Sequence, residues 1–422
     1  MENDIFNLTT EQLKKIADTL KLRIDEGFQK DGEEIRCLPT YIIPKDKIDR
    51  EKVLVLDLGG TNFRANVVDF SGSEPVVHPG IKKDLRFIMN APEGYNYIDL
   101  YQKMAELISS LNLDGVKSIG YCFSYPCEST PDGDAYLLYW TKGVTIKNLE
   151  KIEGKETPLV GKSLMDYLNK NVNSADFKNI KVINDTVASL FAGLTDKKSQ
   201  AHIGLIVGTG TNMALLFPAN KLPKISPKYK KEALIPINLE SGNFYPPYLT
   251  IIDDKIDKYS GSSGSQRFEK AISGMYLGRL LEFVFSCDEM EANFDAEKLT
   301  RIMSYPDMYK HKYVKASHAV YERSAKLVAA SLAGLIFKMA EANPEITDVR
   351  LAAEGSLFWS KDQKGDRNVK FTPYKDKVLE ELYLILKEAN MEKIIVHVEE
   401  ISHANLIGSG IAALSDTIES VI

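Results

Sequence analysis

The chain has 422 residues, 44% of them apolar and 27% charged, with a formal charge of −6. This is the balance of a globular protein with a substantial core, long enough for about two or three domains, and it excludes a general nucleic-acid binder, whose electrostatics need a basic face. Four cysteines without a CxxC pair and only six histidines exclude an obvious zinc site, and the thiols read as reduced, in the cytoplasm.

No apolar run reaches the length of a bilayer span, and the opening "MENDIFNLTTEQ" is polar rather than signal-like. A first helix is expected where Leu13, Ile16, Leu20 and Ile24 share one face, opened by a Thr9–Gln12 capping box. "VLVLDLGGTNFRANVV", residues 53–68, then gives two apolar β runs around a Gly59-Gly60 turn, a predicted hairpin with one acid, Asp57, in its first strand. A helix over residues 97–111 follows, and "VKSIGYCFSYP" reads as a strand stopped by Pro126. Further strands are predicted at "IKVIND", "HIGLIVG", "VRLAAEG" and "KIIVHVEE". Most precede helical patterns, which points to α/β architecture with mixed sheets. The Lys- and Pro-rich segment 219–233 reads as a surface loop.

The hairpin has an echo. Gly60-Thr61-Asn62 recurs as Gly210-Thr211-Asn212, 150 positions later, again between apolar strands. That spacing is too long for a solenoid and fits one unit copied into each of two domains that face a shared cleft. A turn stripped of side chains lets backbone N–H groups approach an anion, so two such turns suit adjacent phosphates of one nucleotide. A carboxylate beside phosphate becomes useful when a divalent cation lies between them, which makes Asp57 a candidate magnesium organiser acting through water. Taken alone, either hairpin reads more readily as a β-hairpin whose glycines merely satisfy a tight turn; the matched pair, with an acid in the first, shifts the balance towards phosphate. The common nucleotide motifs are absent: "GKS" at 161–163 has Glu156 where the Walker spacing needs glycine, and Gly208-x-Gly210 meets Met213 at the third glycine's place.

"KVINDTVASLFAG" sets Asn184 and Asp185 at a strand end before a helix. Ligands gather there in α/β folds, and helix caps sit there too; both roles stay open. Ser124, Thr141 and Lys142 come from loops, Glu240 from a strand end, and Gln266 and Glu269 from one helix face. Singly these are ordinary polar residues. Together they match the hydroxyls of a polyol.

Several stretches, in order, resemble the hexokinase family of eukaryotic type from about Leu8 nearly to the C-terminus: "CLPTYI", "LDLGGTNFR", "FSYPCESTPDGDAYLLYWTKGV", "VINDTVASL", "IGLIVGTGTNMA", "INLESG" and "FEKAISGMYLGRLL". The resemblance implies an actin-like ATPase fold, α/β, with two ribonuclease H-like domains flanking a cleft that closes on MgATP and sugar. It implies a small domain over 50–183 and a large domain over 1–49 and 184–422, with the option of the C-terminal helix returning to the small one. Carried over by position, sugar contacts fall on Ser124, Pro126, Thr141, Lys142, Asn184, Asp185, Asn212, Glu240, Gln266 and Glu269. Phosphate contacts fall on Asp57, Gly59, Gly60, Thr61, Asn62, Arg64, Gly208, Thr209, Gly210 and Thr211, and adenosine-side contacts near Gly355, Ser356 and Gly408.

The implied reaction is ATP-dependent phosphorylation of a hexose 6-hydroxyl, the first step of glycolysis. Glucose is the leading substrate, Asp185 the base and Lys142 a contact to the reacting end. The chain departs from the family at Ser241, where Trp is usual, at Glu354, where Asp is usual, and over 81–96, which does not align. The rivals are a sugar sensor on the same fold that does not turn over, and a chaperone or filament ATPase, which leaves the TKG and NDT motifs without a role. Monomer and homodimer are both compatible with the sequence, and neither nucleic acid nor membrane is an expected partner.

Overall fold

A computed structural model describes every residue except 1–3, 46, 60–61, 85–93, 142–143, 153, 155, 196–199, 226–227, 229–232, 286–294, 361–371 and 422. The first helix is Thr10–Gln29. Its cap is reciprocal: Thr9 Oγ1 accepts from the Gln12 amide (3.2 Å) and Gln12 Oε1 accepts from the Thr9 amide (2.9 Å). Its predicted apolar face is buried, packed on the long helix His311–Ala342.

The strands, in chain order, begin with β1 (Leu38–Pro39), β2 (Ile42–Ile43), β3 (Lys52–Leu58), β4 (Asn62–Asp69), β5 (Val76–Val77) and β6 (Ile81–Asp84). There follow β7 (Ser118–Phe123), β8 (Cys127–Ser129), β9 (Ala135–Leu137), β10 (Asn179–Ile183) and β11 (Ala201–Val207). The last are β12 (Thr211–Pro218), β13 (Leu234–Asn238), β14 (Asp348–Glu354), β15 (Ile395–Glu399) and β16 (Asp416–Thr417).

Two sheets repeat one plan. The first runs β5-β4-β3-β7-β10, with β6 also on β4; the second runs β13-β12-β11-β14-β15, with β1 beyond β13. In each, an antiparallel glycine hairpin (β3/β4 or β11/β12) is followed by two parallel strands on the side of its first strand. The echo in the sequence is thus an echo in topology.

Alternation along β3 explains Asp57. Leu54, Leu56 and Leu58 belong to a core on one side of the first sheet, whereas Val53 and Val55 join a core shared with Ala214 and Leu216 of the second sheet. By the two-residue period, Asp57 falls on the face turned toward the other sheet. The helices Asp185–Ala192 and Ala404–Leu414 fill the same inter-sheet core through Val187, Leu190, Leu406 and Ile411. Helix Ala404–Leu414 lies on β7 and β3, and β16 after it pairs with β2.

One expectation needs correction. The segment read as a surface loop buries Ala219, Leu222 and Ile225 in the large core, while the exposed Lys221 donates to Ala342 O and the largely covered Lys224 bonds Asp31 and Arg36 O. No helix among the described residues is long and apolar enough to cross a membrane.

Candidate active site

At the end of β3 the Asp57 carboxylate is 4% exposed and ion-paired with Arg64, its cross-strand neighbour in register. Burial pushes the Asp57 carboxyl up from its ordinary range, and Arg64 opposes that rise. The turn is closed by the Gly59 amide on Asn62 O (3.1 Å), and the Tyr125 hydroxyl donates to Gly59 O (3.0 Å). Gly60 and Thr61, assigned to phosphate, and Lys142, assigned to the reacting end, lie outside the described residues.

The second hairpin is tied to its neighbours by backbone bonds. Gly208 N donates to Gly210 O (2.9 Å), Gly274 N to Gly208 O (2.7 Å) and Met275 N to Thr209 O (3.3 Å). Thr211 donates its amide to Glu269 Oε2 (3.0 Å) and its hydroxyl to Ile206 O (2.8 Å). Gly355 follows β14 at φ +109, where a Cβ would stand 2.2 Å from Val207 O, so only glycine lets this turn lie against the hairpin. Gly208 to Thr211 and Gly355-Ser356 therefore form one neighbourhood, with Ser356 exposed.

Asn184 and Asp185 share the capping of one helix. Asn184 is the N-cap of helix Asp185–Ala192 and takes the Thr186 amide on Oδ1 (2.9 Å). Asp185 takes the same amide on its own Oδ1 (2.8 Å). Both side chains are half-buried at the end of β10.

A chain of amides links the other sugar candidates. Asn212 Nδ2 donates to Asn238 Oδ1 and Asn238 Nδ2 to Glu240 Oε1, each at 2.8 Å, while the Ser241 amide donates to Asn212 Oδ1 (3.1 Å). Glu240 and Gln266 both adopt left-handed φ, +54 and +51, a strained choice for such residues that collects at functional sites. Glu269 follows on helix Arg267–Ile272 and bonds the second hairpin, so sugar and phosphate candidates share a framework. Ser124 follows β7, its amide donating to Leu58 O (3.2 Å); Pro126 O accepts from Leu138 N (2.9 Å) and Thr141 O from Val144 N (3.2 Å). Gly408 is set apart: it is buried within helix Ala404–Leu414, where a Cβ would meet Ala188 O at 1.8 Å.

Two participants were not singled out as site residues. Asn238, 5% exposed, joins Asn212 to Glu240; an Asn closing the apolar run "LIPIN" was its only signal. Glu354, noted above only as a departure, ends β14, and its carboxyl is pushed up to about 7, first by burial and then by the charge of Asp185, with Asp57 adding and Arg64 opposing. Carboxylates at the ends of β3, β10 and β14 thus feel one another across the two sheets.

The sign of that shift gives a test. The folded chain holds the Glu354 proton more tightly than the unfolded chain, so this group's contribution to stability falls as pH rises from 4.5 to about 7 and is lost above it. Glu354→Gln is expected to match the parent near pH 4.5 and to exceed it at pH 8 by on the order of 2–3 kcal/mol in urea unfolding of the ligand-free protein. A difference that does not change with pH would contradict this.

Among the described residues no three His, Cys, Asp or Glu side chains are grouped to hold a metal ion. Asp57, paired with Arg64 and in the field of Asp185 and Glu354, offers one carboxylate, which suits a magnesium ion that keeps water and phosphate as its other ligands.

Two family models, both described as Hexokinase, match residues 3–194 and 202–303, together more than half of the chain. Hexokinase-2 of Oryza sativa subsp. japonica is 29% identical over 343 residues, covering 77% of this chain and 67% of its own length. Hexokinase HKDC1 of Mus musculus is 29% identical over 291 residues, 66% of this chain but 30% of its own, so the chain spans under a third of that relative. A hexokinase from Schistosoma mansoni complexed with glucose superposes with a TM-score of 0.73 at 23% identity, covering 98% of this chain and 97% of that one. A second hexokinase crystal structure gives 0.76 at 22% with the same coverage. These two likenesses establish the shared fold.

Proposed function

The chain belongs to the hexokinase family, and from that premise we propose that it transfers the γ-phosphoryl group of MgATP to the 6-hydroxyl of a hexose, glucose first among candidates. The observation that supports this best is the convergence of Asp57, Asp185 and Glu354 at three strand ends from two sheets, beside two glycine hairpins. We take the two sheets as the small and large domains, divided near residues 50 and 183.

The sugar is held by Asn184, Thr141 and the linked set Asn212, Asn238 and Glu240, with Gln266 and Glu269 completing the ring of contacts. Its O6 forms a bond to the γ-phosphorus while the bond to the bridging oxygen of ADP breaks. The O6 proton passes to the Asp185 carboxylate, which the Thr186 amide holds in place. Because this transition state is loose, positioning and charge stabilisation contribute more than proton removal. Arg64, the backbone amides of both hairpins and Lys142 supply that stabilisation. Magnesium, when bound, neutralises phosphate charge, with Asp57 orienting its water shell. Ser356 and Gly355 face the adenosine side.

The acceptor is tested with a panel of hexoses and MgATP, reading ADP release. Glucose or a close relative is expected to support turnover, and 6-deoxyglucose to support none. Hexose binding without turnover would favour a sensor, and equal ADP release without sugar would favour a general ATPase.

A further inference from the structure

The loop 260–266, which delivers Gln266 and the helix bearing Glu269, is organised by an ion pair outside the reaction itself. Asp257 and Lys270 are 5% and 2% exposed and lie 2.8 Å apart. Asp257 comes from the last turn of helix Ile251–Tyr259 and Lys270 from helix Arg267–Ile272, so the pair staples together the two helices that bracket the loop. Both partners also grip the loop between them. The Asp257 carboxylate accepts from the Gly264 amide (2.9 Å) and the Ser263 hydroxyl (3.1 Å), and Lys270 Nζ donates to Ser262 O (2.7 Å). Arg267 adds a further contact to Asp257 (3.3 Å) and covers the Tyr245 ring at 4.5 Å.

Burying two charges is a poor way to gain stability, because desolvation offsets their attraction and apolar replacements are often as stable. What the pair holds is a loop with two glycines at positive φ, Gly261 and Gly264, and a left-handed Gln266, whose own bonds are the short-range Ser262 N to Ser260 Oγ (3.3 Å) and Ser265 N to Ser262 O (3.1 Å). We infer that Asp257 and Lys270 are positioning residues for the hexose site, holding the loop preformed so that Gln266 and Glu269 meet the sugar without an ordering cost. This rests on the assignment of Gln266 and Glu269 to the sugar.

The test is the double variant Asp257→Asn with Lys270→Met, which removes both charges together, compared with Glu269→Ala. Hexose binding to the full chain is measured by titration calorimetry without nucleotide, alongside steady-state kinetics. The double variant is expected to raise the hexose Kd and KM about tenfold or more, with kcat and the KM for MgATP within about threefold of the parent. Unchanged hexose affinity in a folded double variant, or a parallel fall in kcat and rise in both KM values, overturns the inference. If Glu269→Ala also leaves hexose affinity unchanged, the sugar assignment fails; if only the double variant does, the positioning role alone fails. Should the double variant not fold, hydrogen exchange on the parent decides: amides 262–266 protected before hexose is added support a preformed loop, and amides that become protected only with hexose overturn it.

Discussion

Replacing Asp185 by alanine is expected to lower kcat by about a thousandfold, within the 10²–10⁴ range that general-base removal produces, while hexose still binds measurably. Asp185 heads helix Asp185–Ala192, but the capping duty is shared with Asn184, whose Oδ1 takes the same Thr186 amide. The helix therefore keeps a cap in the variant, and the loss falls on chemistry rather than folding. Asp185→Asn sharpens the point, because it preserves size and the acceptor to Thr186 yet cannot take the O6 proton. Both variants are expected to lose turnover alike. A second readout is independent of catalysis: since Asp185 raises the Glu354 carboxyl, its removal lets Glu354 titrate at lower pH. Turnover within about tenfold of the parent would remove Asp185 as the base.

What the sequence made legible follows from periodicity and turn chemistry. Leu13, Ile16, Leu20 and Ile24 marked a buried helix face, and Thr9 with Gln12 marked its start. The repeated Gly-Thr-Asn turns marked hairpins that prove to hold equivalent places in two sheets of the same strand order. Partnerships made by the third dimension were out of reach. Asn238 is linked to its neighbours only once β12 and β13 are in register, and Arg323 meets Asp253 (2.6 Å) across 70 residues. Local rules also mislead where tertiary packing wins: Lys-rich 219–233 reads as solvated, yet Leu222 and Ile225 enter the core. The left-handed conformations of Glu240 and Gln266 had no glycine to announce them.

Gly408 separates those two kinds of information, and its substitution is expected to be the most destabilising considered. By resemblance it belongs near adenosine; by packing it lets one helix touch another at backbone distance. A Cβ there would lie 1.8 Å from Ala188 O and 3.0 Å from Ala192 N, both on the helix that Asp185 opens. The next residue presses on the other side, since a Cβ at Gly120 of β7 would meet Ser409 O at 2.1 Å. Helix Ala404–Leu414 is thus held between helix Asp185–Ala192 and the first sheet, with a backbone contact on each side and no flexible side chain to give way. Gly408→Val is expected to cost about 3 kcal/mol or more in urea unfolding, the upper end of overpacking, with Gly408→Ala smaller but of the same sign. Where the protein stays folded, relief can come only by moving helix Asp185–Ala192, so kcat falls as the Asp185 carboxylate leaves its alignment. A residue whose duty is to the nucleotide behaves differently: stability holds and the KM for MgATP rises alone. Parent-like unfolding of Gly408→Val would return this glycine to the nucleotide and leave the placement of Asp185 to other contacts.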